Sequence, residues 1–279
     1  MENATPLEPF GFEVHVDFTV ENGPEIKRIF AQHGLVIGRN QSLTKDDQVD
    51  VLGELGRVMH HETTLNTVSN VRMDGFLGDN EVNWHSDASY TDLPMHAISL
   101  HALRIDKPGQ TSTKIASGWL ALQRLPKALR ERITPLKAMH LAAVGEGTLG
   151  GRQRLAGYPE EGPRAIHPVV KRDSVTGRDS LYVPYTNVDH IVGLSDSESE
   201  DLLAELQSYV YAPDCVYEQF WHDGDIMIWS NVGCQHRRGA MPGGERTLNR
   251  VCTTDASAQM YEDSTSILRS QRVNALMKM

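Results

Sequence analysis

The chain has 279 residues, long enough to bury a substantial core as one large domain or two small ones. Its 37 acidic and 27 basic side chains give a formal net charge of -10, which argues against a nucleic-acid partner gripped through clustered phosphate contacts. Three cysteines without a C-x-x-C pair read as reduced thiols, and neither an apolar leader nor a bilayer-length run occurs, so a cytoplasmic protein with no membrane partner is expected.

In chain order, Pro24 near the start and Gly34 just past the end predict a helix over Pro24–His33, followed by an apolar strand at Leu35–Ile37. Thr44 is a cap for a second helix through Val49, Leu52 and Leu55. Asn83–Asp87 is expected to be extended, Ala97–Leu103 is a further strand, and Pro108-Gly109 marks a turn. Helical spacing resumes at Trp119, and Pro126 opens another helix. Ser195 and Glu198 form an S-x-x-E capping box ahead of Leu202, Leu203, Leu206 and Val210. The acidic run Asp196–Asp201 then matches the dipole of a helix start rather than a metal site. Strands follow at Val216–Trp221, Ile226–Trp229 and Leu248–Thr253. Strands recur without regular βαβ alternation, which predicts a mainly antiparallel sheet with helices around it, without a linker or repeat.

Two motifs carry chemistry. On an extended strand His85 and Asp87 share one face with Ser86 turned away, and a loop after Ile226–Trp229 delivers His236. Two imidazoles and one carboxylate on one side of an ion form the facial triad of non-haem Fe(II) oxygenases, which leaves coordination positions open. Downstream, Arg246 and Arg250 offer planar forks suited to a carboxylate. The run Gly145-Glu146-Gly147-Thr148-Leu149-Gly150 matches G-x-G-x-x-G, but glycines and prolines follow it where a dinucleotide site needs a helix. Residues 145–163 are instead expected to be a glycine-rich mobile loop, of a kind able to close over a site, with closure left open.

The fragments Asn83–Tyr90, Leu100-His101-Ala102, Ile166–Val170, Gly224–Trp229 and Glu245–Val251 resemble, in order, the taurine dioxygenase (TauD/TfdA) family. The resemblance runs from about Gly34 to Thr253. It implies one domain over residues 1–279, of α+β class and mainly β, with a double-stranded β-helix (jelly-roll, cupin-like) core and surrounding helices. It implies that His85, Asp87 and His236 bind Fe(II), that 2-oxoglutarate is the cosubstrate, and that Arg246 pairs with its far carboxylate. Arg250 matches a second arginine near the cosubstrate and an anionic substrate. His60, Asn83, Tyr90 and Arg250 become the candidate substrate contacts.

This sequence departs from the family's Gly-Gly-Asp-Thr turn, which reads Gly109–Thr113 here. Counting back from Leu125-Pro126 selects Thr113 as the cosubstrate threonine, and counting forward from His101-Ala102 selects Ser112. Thr113 is preferred because Thr113-x-Ile115-Ala116 restores a strand. The usual Trp-Asp-Asn-Arg reads Trp229-Ser230-Asn231-Val232.

The expected activity is oxidation, in the first instance hydroxylation, of a small organic substrate by O2, with release of succinate and CO2. Desaturation or cyclisation by the same chemistry stays open, whereas the carboxylate of Asp87 disfavours halogenation. Rivals are a non-catalytic jelly-roll binding protein and a zinc hydrolase, the latter suggested also by Cys234-x-His236. His167 is assigned to packing or hydrogen bonding. A homo-oligomer is compatible with the sequence.

Overall fold

The computed structural model describes residues 3–59, 67–73, 75–143 and 148–254. Two short strands, β1 (Ala4–Pro6) and β2 (Phe12–Val14), precede helix α1 (Gly23–His33). Gly34 ends that helix in the left-handed conformation, φ 70°, with its N–H donating to the Phe30 carbonyl. Strand β3 (Leu35–Gly38) leads to α2 (Lys45–Gly53), where Thr44 and Asp47 satisfy each other's backbone N–H groups in a capping box. Strands β4 (Thr67–Ser69), β5 (Phe76–Leu77), β6 (Ala97–Ile105) and β7 (Ser112–Ser117) follow, then helices α3 (Gly118–Arg124) and α4 (Lys127–Ile133). Next come β8 (Lys137–Leu141), β9 (Arg164–Pro168), β10 (Val170–Arg172), β11 (Asp179–Leu181) and β12 (Val188–Ile191). Ser195 and Glu198 box the start of α5 (Asp196–Val210), and β13 (Val216–Phe220), β14 (Ile226–Ser230), β15 (Cys234–Arg238) and β16 (Arg246–Cys252) complete the described chain.

Among the described residues the largest sheet has eight strands in the order β1-β2-β3-β14-β6-β16-β4-β5, antiparallel except where β2 meets β3 and β4 meets β5. A smaller sheet, β13-β7-β15, is antiparallel throughout.

Period-two alternation explains how the layers stack. Leu35, Ile37, Met227 and Trp229 point into a cluster shared with Ile115 and Cys234 of the small sheet. Val36, Ile226 and Ile228 point the other way, onto Ile26, Ile29 and Phe30 of α1 and Val51 and Leu52 of α2. Strands β3 and β14 are buried on both faces, which is why they read as unbroken apolar runs. A third cluster joins α3, α4 and α5 to β8, β11 and β12. No helix among the described residues is long and apolar enough to cross a membrane.

Two local expectations are corrected. His85 makes only a single bridge to His236, and Asp87 lies in a turn rather than on a strand. Ala88 is forced to φ 54° at the head of that turn. His236 in turn sits on β15, where a loop was expected. The apolar rule for strands sees neither change, because both follow from pairing between residues far apart in sequence.

Candidate active site

The end of the Asn83–Asp87 segment and strand β15 are joined backbone to backbone. His85 N–H donates to the His236 carbonyl at 3.0 Å, and His236 N–H donates to the His85 carbonyl at 2.9 Å. The two imidazoles therefore face each other, with ring centroids 4.0 Å apart. Asp87 completes the group: its Oδ1 lies 3.4 Å from His85 Nε2 and its Oδ2 3.9 Å from His236 Nε2. One ligand atom from each of the three residues lies within 4.8 Å of the others, and this is the only such group of metal-binding side chains among the described residues.

Supporting contacts fix the orientation of each group. His85 Nδ1 is 2.8 Å from the Asn83 carbonyl, which makes Nδ1 the protonated nitrogen and leaves the Nε2 lone pair toward Asp87. Trp229 packs against the His236 ring at a centroid distance of 4.8 Å. Asn231, fully buried, accepts from Asp87 N–H at 2.9 Å and donates to the Asp87 carbonyl at 2.8 Å. Ser86 does turn away, donating to the Asn231 carbonyl at 2.7 Å and lying 3.1 Å from the Tyr182 hydroxyl.

The electrostatics suit a cation between these donors. Burial opposes charge on Asp87, but the adjacent Arg250 guanidinium holds its carboxyl well below the usual range. Burial first, and then His85, push His236 well below the ordinary imidazole value, so it is the neutral form that binds metals.

Beside the triad lies a cavity of about 80 Å³. Its lining includes Leu100, Val68 and Trp229 together with Thr113 and Arg246. Arg246 Nη2 donates to the Thr113 hydroxyl at 3.0 Å, and Trp221 Nε1 donates to the same oxygen at 3.0 Å. Arg246 Nε is buried with no hydrogen-bond partner among the described residues. Burial, and next the charge of Arg238, push Arg246 down to about 9. A guanidinium so desolvated, with an idle donor, is a site for an anion. Among the described residues, four arginines and a single carboxylate line this cavity, in a chain of net charge -10. A larger hollow of about 450 Å³ around Arg39, Tyr217 and Phe220 is open, contains none of these groups, and has its Arg39 already paired with Asp225.

The structure brings His85, Asp87, His236, Thr113, Arg246 and Arg250 to one cavity. Ser112 faces elsewhere, donating to Glu218 at 2.6 Å and accepting from Ala240 N–H. Arg250 Nη2 reaches Asp87 Oδ2 at 2.5 Å. Tyr90, half-buried, packs against the inner cluster, near enough to Arg250 to feel its charge. Asn83 supplies its carbonyl to His85, while its side chain accepts from Trp84 N–H and donates to the Gly150 carbonyl at 3.4 Å. His60 and residues 144–147 lie outside the described residues, although Leu149 of the glycine-rich stretch does line the cavity. His167 serves hydrogen bonding, 2.9 Å from the Thr91 carbonyl and 3.1 Å from Lys171 Nζ. Cys234 stays a buried thiol, pushed well above its ordinary value by burial and then Asp173, and stands outside the metal-binding group.

Sequence reasoning left Asn231, Trp221 and Arg238 without roles. Asn231 alone carried a signal, as the residue retained in the altered Trp229-Ser230-Asn231-Val232.

The family described as "Taurine catabolism dioxygenase TauD, TfdA family" matches residues 3–252. Pentalenolactone F synthase of Streptomyces arenae is 29% identical over 207 residues, 68% of each chain. The (S)-phenoxypropionate/alpha-ketoglutarate-dioxygenase of Sphingobium herbicidovorans is 28% identical over 76% of this chain and 79% of its own. The alpha-ketoglutarate-dependent 2,4-dichlorophenoxyacetate dioxygenase of Cupriavidus pinatubonensis is 25% identical, with 83% and 88% covered. In fold, the chain is similar to AAD-2 in complex with Mn(II) and N-oxalylglycine, at TM-score 0.75 and 23% identity over 91% and 97% of the two chains.

Proposed function

The chain belongs to the taurine catabolism dioxygenase TauD, TfdA family, and we propose that its His85, Asp87 and His236 hold Fe(II) while Arg246 and Thr113 hold the far carboxylate of 2-oxoglutarate. The observation that carries this reading is the joint placement of the only described metal-binding triad and an anion-starved arginine in one cavity. The donor set fits the ion: two imidazole nitrogens and one carboxylate come together, with no second carboxylate lining the cavity among the described residues. When bound, iron and 2-oxoglutarate activate O2 and oxidise the substrate, releasing succinate and CO2.

The chain's own groups bind and orient. Asn83 fixes the tautomer of His85, and Asn231 holds the main chain of Asp87. Arg250 takes one oxygen of Asp87, leaving the other nearer His85. Thr113, itself held by the Trp221 indole N–H, anchors Arg246 in the cavity lining, where a carboxylate would find charged donors. Leu100, Val68 and Trp229 keep the walls dry, which strengthens each of these charge interactions.

For the substrate we favour a small organic anion, hydroxylated at carbon. The excess of arginine at the cavity and the relatives named for phenoxypropionate and 2,4-dichlorophenoxyacetate support it. Arg250 with Tyr90 is the candidate anion contact. The large sheet facing β13-β7-β15, with the triad between them, supports a double-stranded β-helix core, and three buried, unbridged cysteines support a reducing, cytoplasmic setting.

Anaerobic addition of Fe(II) and 2-oxoglutarate tests the reading. A visible metal-to-ligand charge-transfer band is expected. No band, with zinc-dependent hydrolysis intact, would replace the oxygenase with a hydrolase. A band without substrate-dependent succinate release across a panel of carboxylates and sulfate esters would leave a binding protein.

A further inference from the structure

Arg238 stands two residues beyond His236 on β15 and so on the same face of that strand. In the ladder it lies directly opposite Thr113 of β7, the residue whose hydroxyl accepts from Arg246. Arg238, Thr113 and Arg246 all line the cavity and all are buried.

The guanidinium of Arg238 is spent on backbone. Its Nη1 donates to the carbonyls of Gly78 at 2.8 Å and Asn80 at 2.7 Å. Its own N–H donates to the Val82 carbonyl at 3.0 Å. The carboxylate whose charge reaches it is Asp79, in the same segment, and Asp79 also accepts from Asn70. Residues 77–82 form an irregular turn, with Leu77 at φ 76° and Gly78 at φ 47°, that brings Leu77 and Val82 into the cavity wall and runs on to Asn83 and His85. One arginine thus fastens this segment to β15 by side chain and main chain together.

Resting on the 2-oxoglutarate reading above, we propose that Arg238 is a positioning residue that couples dicarboxylate binding at the Thr113–Arg246 end of the cavity to closure of segment 77–82 over it. Arg238 and Arg246 line one cavity with both side chains buried, so their like charges repel each other and that repulsion is poorly screened. A carboxylate between them offsets it for both. With that repulsion offset, Arg238 keeps its hold on the Gly78 and Asn80 carbonyls for longer, and the segment opens less often.

Hydrogen exchange measured by mass spectrometry on the Mn(II)-loaded protein, with and without N-oxalylglycine, is the test. In the wild type the analogue should slow exchange across residues 77–82 by about tenfold, as for a local opening that ligand closes. Arg238→Met should abolish the slowing and weaken the analogue's Kd while leaving the Kd for Mn(II) unchanged. Arg238→Lys keeps the charge without the two-carbonyl fork, so it should recover most of the affinity but not the slowing. If Arg238→Met fails to fold, Arg238→Lys carries the comparison. Wild-type analogue binding, seen by calorimetry, without slowing would overturn the coupling and leave the cosubstrate site standing, and so would unchanged slowing in either variant. Failure of the wild type to bind the analogue at all would remove the cosubstrate site itself, and the coupling with it.

Discussion

Asn231 grips Asp87 by both backbone polar groups, accepting from its N–H and donating to its carbonyl through one side-chain amide. The same amide nitrogen donates to the Met95 carbonyl at 3.1 Å. One buried side chain thereby sets the path of the chain at the carboxylate of the triad, just before Ala88 turns back at positive φ.

Asn231→Ala should therefore act on metal binding although Asn231 is not one of the three candidate ligands. It leaves the Asp87 N–H and two carbonyls without that partner, at about 1–3 kcal/mol of stability for a buried unsatisfied group. Metal affinity should fall by about 10–100-fold, the usual effect of losing an outer-sphere support. Titration with Mn(II) alongside urea denaturation separates the two quantities. Full metal affinity in a destabilised variant would show that Asp87 keeps its place without Asn231.

Arg246→Ala should weaken 2-oxoglutarate binding by roughly tenfold to a hundredfold, from about 1.5–3 kcal/mol for hydrogen bonds to a charged group, with little change in metal affinity. Calorimetry with Mn(II) first and N-oxalylglycine second reads both. Equal loss of the two affinities would point to damage of the fold instead.

Thr113→Val and Ser112→Ala distinguish the two ways of aligning the altered turn. Thr113 accepts from both Arg246 and Trp221, whereas Ser112 is engaged with Glu218 and Ala240. Thr113→Val should lower cosubstrate affinity and, by stranding the Trp221 indole N–H, cost about 1–3 kcal/mol of stability. Ser112→Ala should leave cosubstrate affinity near wild type. The reverse ranking would move the cosubstrate to the other face of β7.

Buried histidines contribute to the acid response of the metal-free protein, among them His140, His167 and His236. Burial lowers His140 and His236 well below the ordinary 6.5, and lowers His167 to about 4, with Lys171 adding to the last. In this range the unfolded chain binds more protons than the folded one, so stability is present above pH 6.5 and is lost as pH falls toward 4. Each such histidine contributes up to about 1.4 kcal/mol per pH unit. Both ring nitrogens of His140 lack hydrogen-bond partners among the described residues, so His140→Leu should flatten the profile without breaking a hydrogen bond. Urea midpoints at pH 7.5, 6 and 5 check this, and an unchanged slope in His140→Leu would remove His140 from the account.

Local signals in the sequence were legible wherever the structure is local. Ser195 with Glu198 and Thr44 before α2 mark helix starts because a cap is made with residues three positions away. The doubly buried strands β3 and β14 announce themselves by unbroken apolar runs. The triad's residues were legible as types and order, but not its backbone: Asp87 reads as strand by spacing and lies in a turn because Asn231, 144 positions later, holds it there. Short strands such as β8 and β12 went unread, since their identity comes from pairing with each other rather than from composition. Arg238 was invisible for the same reason. Only the ladder places it beside Thr113.

The reciprocal hydrogen bonds between His85 and His236 make the separation of the two imidazoles a property of the main chain. The carboxylate depends instead on the side chains of Asn231 and Arg250. The donor set thus divides into two parts with separate structural supports. Substitutions around Asp87 can vacate or reshape one coordination position while the imidazole pair stays in register, so this scaffold can explore new reaction outcomes without rebuilding its metal centre.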